Sequence, residues 1–266
     1  MAPRTPKPLN GAARRIGRLG VEILPPVALI TVWWFASSAS TSLYFPPLRT
    51  IVTALRQDWL FAQFGSDAVP SLEHLAAGFV LATAAGVLVG LALGLVPFLA
   101  DTVSPLLEFA RATPSVALVP AAVLLMGVGT EVQVVVIASA TVWPVLLNTA
   151  DGVRSLDPVL ADVARSYRIR RRDRLVMALR AASPQIVAGM RTALSIGVIM
   201  IVFSEMVGSA HGIGFQLLQD QRNFDIPGMW AGMVLLGVLG YLLNIAFRGF
   251  ERALLGWHRG MRRTHL

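Results

Sequence analysis

The sequence predicts an all-α integral membrane protein with about six transmembrane helices. Mean hydropathy is +0.64, and 55% of residues are hydrophobic against 14% charged. Several apolar runs approach or exceed the roughly 20 residues that cross a hydrocarbon core. A soluble domain of 266 residues needs more charge than this to cover its surface.

The basic residues set the orientation. A net charge of +8 and a pI of 11.2 would suggest nucleic acid in a soluble protein. Here the charges follow topology instead, and no nucleic-acid partner is expected. Of 23 basic residues, five lie within residues 1–18, eight between Arg154 and Arg180, and five from Arg248 onward. With six spans drawn, only Arg49, Arg56 and Arg222 fall on the opposite side. Arginine and lysine are retained on the cytoplasmic side, so both termini and residues 151–183 are predicted cytoplasmic, in a multi-pass bacterial inner-membrane protein. Arg14, Arg15 and Arg18 before an apolar run, with small residues at Ala36–Ser42, imitate a signal peptide. The basic-residue balance favours a retained first span.

The spans are predicted at 21–38, 73–98, 105–127, 132–150, 184–207 and 228–250. Residues 1–20 form a basic tail, 21–70 the first helix and an outer loop, 71–250 the core, and 251–266 a second basic tail. Pro46-Pro47 lies in the outer loop, Asp101 to Pro105 breaks the second span from the third, and Gly127 and Gly129 flank the turn before Glu131. In the second span Gly78, Ala82, Gly86, Gly90 and Gly94 repeat every fourth residue, a smooth ridge against which another helix backbone can approach closely. Gly228, Gly232 and Gly240 suggest a shorter version in the last span.

The stretch 151–184 is polar and arginine-rich between apolar runs. Asp157-Pro158 starts a helix well, since the Asp side chain can cap free amides and proline fits the first helical position. Leu160, Val163, Ala164 and Tyr167 then follow an i, i+3, i+4, i+7 stripe. Such a helix either lies on the membrane surface or seats in a partner's groove.

At this loop the chain resembles the membrane subunits of binding-protein-dependent ATP-driven importers. Those carry E-A-A, three residues and G, then about nine residues before a hydrophobic-x-L-P. Here Asp162-Val163-Ala164 is followed by Arg168 and by Ala178-Leu179-Arg180 to Pro184; Asp162, Arg168 and Arg180 depart from the pattern. Ser71-Leu72 to Gly94 resembles the S-L-x-R-x-x-x-G-F opening of the family's core, with His74 for the usual Arg. Arg111 to Pro114, Val119-Pro120 to Gly129, Asn148 to Gly152, and Glu205 with Gly212-Ile213-Gly214 resemble further elements in the family's order. Phe224-Asp225 through Glu251-Arg252 and Trp257 resembles the carboxyl end of permeases for nitrate, sulfonate, taurine and related nutrients.

The resemblance implies a type I ABC importer permease fold, working as a homodimeric pore in membrane lipid. Two ABC ATPase subunits would dock on the central loops, and a periplasmic or extracellular solute-binding protein would deliver a small nutrient for transport by alternating access. Leu160, Asp162, Val163, Ala164, Tyr167, Arg168 and Leu179 would form the ATPase-coupling element. Glu108, Arg111, Glu205, Gly212 and Gly214 would belong to the translocation path or its gate. Glycine at the coupling turn permits φ > 0 without strain and arginine does not, so the turn at Arg168 is expected to depart from the usual geometry or to be reached by another backbone route. Loss of the first proline at Arg180 lets the second helix run on to Ser183.

Much chemistry is excluded. A phosphate-cradling loop ends in Gly-Lys, and the only lysine is Lys7; ATP and Mg are therefore expected in the partner ATPase, with no cofactor in this chain. His74, His211, His258 and His265 lack ligand spacing, there is no cysteine, and no nucleophile elbow is present. The chain is not expected to be an enzyme. Glu108 and Arg111 stand one turn apart and either neutralise each other beside a broken third helix or contact solute. Arg191 reads as a snorkelling residue near the inner face, and Glu205 as an anchor for the Gly212–Gly214 turn or a substrate contact. The alternative from another class is an ion-gradient-driven secondary carrier, for which Glu108 and Glu205 are the available intramembrane carboxylates. Uptake in vesicles driven by ATP or by an ion gradient separates the two.

Overall fold

The computed structural model describes residues 11–256. Trp257, the last basic residues of the carboxyl tail and the first ten residues of the amino tail lie outside the described residues. Every regular element among them is a helix, with no strand. The helices are α1 (Gly11–Ser37), α2 (Leu48–Ala54), α3 (Val69–Leu95), α4 (Pro97–Ala112), α5 (Leu118–Met126), α6 (Thr130–Arg154), α7 (Pro158–Ser166), α8 (Arg171–Gly208), α9 (Ile213–Arg222) and α10 (Ile226–Leu254). A π-helical stretch, Leu55–Ala68, joins α2 to α3.

Four helical stretches are long and apolar enough to span a membrane, and α4 with the Ser115–Met126 segment makes a fifth if that pair counts as one span. The two halves meet at 71° across Thr113-Pro114, because the residue before proline is driven out of the helical region and Thr113 takes ψ 122°. The predicted span at 105–127 is therefore two helices. The span expected at 21–38 falls on α1, a helix of 27 residues. Ser37 Oγ accepts from the Leu48 amide at 3.0 Å, and the rings of Trp33 and Trp230 of α10 meet at 6.0 Å, tilted by 59°.

The centre of the bundle is α3, α6 and α8. The ridge on α3 runs parallel to α6: Gly78 lies against Ile137, Gly86 against Val145, Gly90 against Thr149 and Gly94 against Val153. A Cβ at Gly90 would sit 2.6 Å from the Leu146 carbonyl oxygen, so only glycine allows this approach. On α6's other side α8 runs antiparallel, Gly152 meeting Ala182 and Gly189 meeting Pro144. In α10 the shorter ridge is used at Gly232, which faces Leu217 and Trp59, while Gly240 makes no close approach.

Two segments differ from expectation. Residues 48–68, expected as an outer loop, are helical, and Leu48, Ile51 and Trp59 enter a buried cluster with Ile213, Leu217, Ala231 and Leu235. The spacing of 48, 51, 55 and 59 is helical, though Gly65, Ser66 and Asp67 obscure it. Also, α8 does not begin at the predicted 184. It is a single helix of 38 residues that passes through Pro184. Proline cannot donate to the Arg180 carbonyl; the Ser183 hydroxyl donates to it instead at 2.8 Å.

At the end away from the arginine loop, α9 carries a buried acid. Burial pushes the Asp220 carboxyl up to about 6, opposed by the Gln216 amide and reinforced by the Asp225 and Asp58 carboxylates. A folded-state value above the ordinary one means the folded chain holds this proton more tightly. The associated stability is full below the ordinary carboxylate range and is lost as pH rises through about 6. Asp220→Asn is therefore expected to raise Tm at pH 8 and leave it nearly unchanged at pH 4, as thermal unfolding of both proteins across that range would show.

Candidate functional site

Three groups of sequence-singled residues fall at three levels of the bundle. At the arginine end, α7 is tied in by an Asp157 cap, the Val159 amide donating to Oδ1 at 2.8 Å. Its exposed face carries Val159, Leu160, Val163 and Tyr167, the last 80% exposed. Val159, 68% exposed, was missed because the stripe was counted from Leu160. Asp162 is also on the surface. Ala164 is not: it is 2% exposed and, with Ala178, lines the groove between α7 and α8. Leu179 is half-buried against Val153, Ala182 and Ile186. The stripe read from periodicity therefore divides, since Ala164 turns in toward α8 while Leu160, Val163 and Tyr167 face outward, and Leu179 on α8 packs within the bundle rather than on α7.

The turn after α7 keeps the usual helix–turn–helix route despite its arginine. Arg168 has φ 52°, and the Ile169 amide donates back to the Ala164 carbonyl at 3.0 Å, the six-to-one bond of a helix stop built for glycine. Left-handed backbone costs a non-glycine residue about 1 kcal/mol. Arg168→Gly is expected to relieve most of that and raise Tm by a few degrees without altering ATPase association. An unchanged or lower Tm would contradict the strain.

In the middle, Glu108 and Arg111 on α4 line a cleft with Ser104, Trp143, Asp151 and Arg154. They do not neutralise each other. Among the described residues, none of Glu108, Arg111, Asp151 and Arg154 makes an ion pair. Asp151 and Arg154 could have been sought in the sequence, as a D-x-x-R spacing matching the E-x-x-R of α4. Arg191, read as snorkelling, instead pairs with Glu251 and joins α8 to α10.

At the far end Glu205 is 1% exposed. Its Oε2 accepts from the Gly214 amide at 2.9 Å, and its Oε1 accepts from the Ser71 hydroxyl at 2.6 Å. Ser71 Oγ accepts from the Ile213 amide at 3.0 Å, and Asp67 Oδ1 accepts from the Gly212 amide at 2.9 Å. Gly212 has φ 114° and presses on the Glu205 carboxyl, so three successive amides converge on two carboxylates and a hydroxyl. Asp67 and Ser71 were not singled out as partners of Glu205, because they lie more than 130 residues away in the chain. His74 Nε2 lies 3.2 Å from Thr130 Oγ1 nearby. Among the described residues no group of three or more His, Cys, Asp or Glu is placed to hold a metal.

The family model described as "Binding-protein-dependent transport system inner membrane component" matches residues 82–256. The taurine transport system permease protein TauC of Escherichia coli (strain K12) is 27% identical over 86% of this chain and 86% of its own length. The putative aliphatic sulfonates transport permease protein SsuC of Bacillus subtilis (strain 168) is 27% identical over 88% of this chain and 86% of its own length. The bicarbonate transport system permease protein CmpB of Synechococcus elongatus is 29% identical over 88% of this chain and 90% of its own length. The ion-gradient alternative has no counterpart among these relatives. The chain belongs to the inner membrane components of binding-protein-dependent transport systems, and it is a multi-pass ABC importer permease subunit.

Proposed function

We propose that this permease imports a small nutrient of the sulfonate, taurine or nitrate kind by alternating access, as a homodimer served by two ATPase subunits and an external solute-binding protein. The observation that carries the coupling is α7. It offers an outward apolar face of Val159, Leu160, Val163 and Tyr167 in a loop too rich in arginine to enter lipid. Both termini and this loop face the cytoplasm, where the ATPase binds ATP and Mg. The named relatives, which move taurine, aliphatic sulfonates and bicarbonate, support a small, acid-bearing solute.

ATP-driven closure of the paired ATPases would draw the two α7 helices together. Because α8 is one continuous helix of 38 residues, about 57 Å at the α-helical rise, displacement of its arginine end would reach the Glu205–Gly214 turn through a single element. Inner closure and outer opening are then two ends of one lever. Uptake in vesicles holding the chain, its ATPase and its receptor tests the reading. Import should require ATP and survive collapse of ion gradients; import driven by a gradient without ATP would overturn it.

A further inference from the structure

We propose that the corner between α5 and α6 is the moving part of the outer gate, held against α3 by a contact that is strained while the gate is shut. The proposal rests on the permease reading and names a gating element within it. The corner lies at the end away from the arginine loop. Glu73, His74, Thr130, Gln133, Ser209 and His211 line a chamber there with about 920 Å³ of empty space.

The parallel register of α3 on α6 sets the contact. Gly78 lies against Ile137 and Gly86 against Val145. The same offset, one turn earlier, pairs His74 with Gln133, and the two side chains are neighbours. His74 Nε2 meets Thr130 Oγ1 at 3.2 Å. Gln133 is 1% exposed, yet its Oε1 and the His74 Nδ1 are both shut off from solvent without a hydrogen-bond partner. A neutral imidazole carries one N–H, and neither nitrogen gives one to the amide oxygen here. A buried polar atom left unpaired costs its full desolvation, so both atoms favour a state that wets them. Parting the first turn of α6 from α3 is such a state.

That turn is also the least secured part of α6. Gly129 precedes the helix with no side-chain cap, and its amide makes a long bond of 3.3 Å to the Gly208 carbonyl. Gly127 and Gly129 have φ 83° and 152°, backbone that glycine adopts freely. A Cβ at either would meet nothing within 4 Å, so conformation and not space accounts for both glycines. Two such residues before an uncapped turn make a hinge. Val132, 2% exposed among Leu75, Val119 and Met200, holds the turn down. Apolar burial thus closes the corner while two orphaned polar atoms press it open.

Gln133→Met keeps the length of the side chain and removes the orphaned oxygen. In the full-length chain in lipid nanodiscs, without ATP or receptor, it should raise Tm by about 2 °C or more. Hydrogen exchange over residues 130–137 should slow about threefold or more. Removing a contact that only supports the fold would lower Tm and quicken exchange. His74→Arg supplies the missing donor instead, so exchange should slow there too. In vesicles where the wild type imports with ATP, Gln133→Met should import at about half the wild-type rate or less, with the ATPase still bound. A Tm that does not rise in Gln133→Met, or exchange that fails to slow in one variant or the other, overturns the strained contact. An unchanged import rate overturns the gate. Absence of ATP-driven import by the wild type would count against the permease reading instead, and the nanodisc measurements decide the strained contact without it.

Discussion

Replacing Val163 with aspartate is expected to lower ATPase co-purification by at least thirtyfold and to abolish ATP-driven uptake, while the chain still inserts and keeps its Tm. Val163 stands at the centre of the outward face formed by Val159, Leu160 and Tyr167. Central apolar anchors of an interface typically contribute 2 kcal/mol or more, and a buried charge without a partner adds several more. The neighbouring Ala164→Asp should behave differently. Its methyl is 2% exposed and turned into the chain, so a carboxylate there must part α7 from α8. Tm should fall together with association. Val163→Asp that still binds the ATPase at wild-type level would remove α7 as the coupling element. Ala164→Asp with an unchanged Tm would contradict the inward packing. The two adjacent positions thus separate loss of docking from loss of folding, which a single substitution in the stripe would confuse.

That division between Val163 and Ala164 shows where the sequence stops being readable. Hydropathy was enough for an all-α membrane bundle, because lipid imposes one solvent on every spanning residue, but not for the break in the span at 105–127 or for the helix in the expected outer loop at 48–68. The four-residue ridge of α3 was legible for the same reason: small residues at that period pack closely against some helix. That the helix is α6, and parallel, was not encoded locally. The i, i+3, i+4, i+7 pattern of α7 revealed an amphipathic helix, but a helix lying on a bundle has two apolar borders. Only the tertiary placement tells which border holds the bundle and which faces outward. Arg168 is a further case. Local preference argued against the turn, and the surrounding helices hold φ 52° there regardless. Thr113-Pro114 broke the third span where proline chemistry says it must. Glu205 was legible as a turn anchor from its sequence neighbours, yet its partner Ser71 comes from the start of α3, and Asp67 of the π-helical segment holds the same turn through the Gly212 amide. The cleft quartet was half visible, since Glu108 and Arg111 stand out inside an apolar run. Asp151 and Arg154 read as part of the loop.

Glu205→Ala is expected to be the most damaging substitution to the fold itself, lowering Tm by more than any change on the α7 face. The carboxylate accepts from the Ser71 hydroxyl and the Gly214 amide, and it is 1% exposed. Alanine would strand the Gly214 amide where water has little access, at about 1–3 kcal/mol, would leave the Ser71 hydroxyl only the Asp67 carbonyl, and would open a void beside Gly212. Ser71 would still receive the Ile213 amide, and Asp67 the Gly212 amide, so the turn should loosen at Gly214 before it opens at Gly212. Glu205→Gln keeps one acceptor and places an amide donor against another donor, so its Tm should lie between those of alanine and wild type. The turn also joins α8 to α9 at the end of the proposed lever. Loosening it should therefore uncouple ATP hydrolysis from uptake, while the ATPase remains bound through α7. Thermal unfolding of the three proteins, with ATPase co-purification and the ratio of ATP hydrolysed to solute imported, checks each part. If alanine leaves both Tm and that ratio at wild-type values, the buried network at this end neither stabilises the bundle nor transmits its motion.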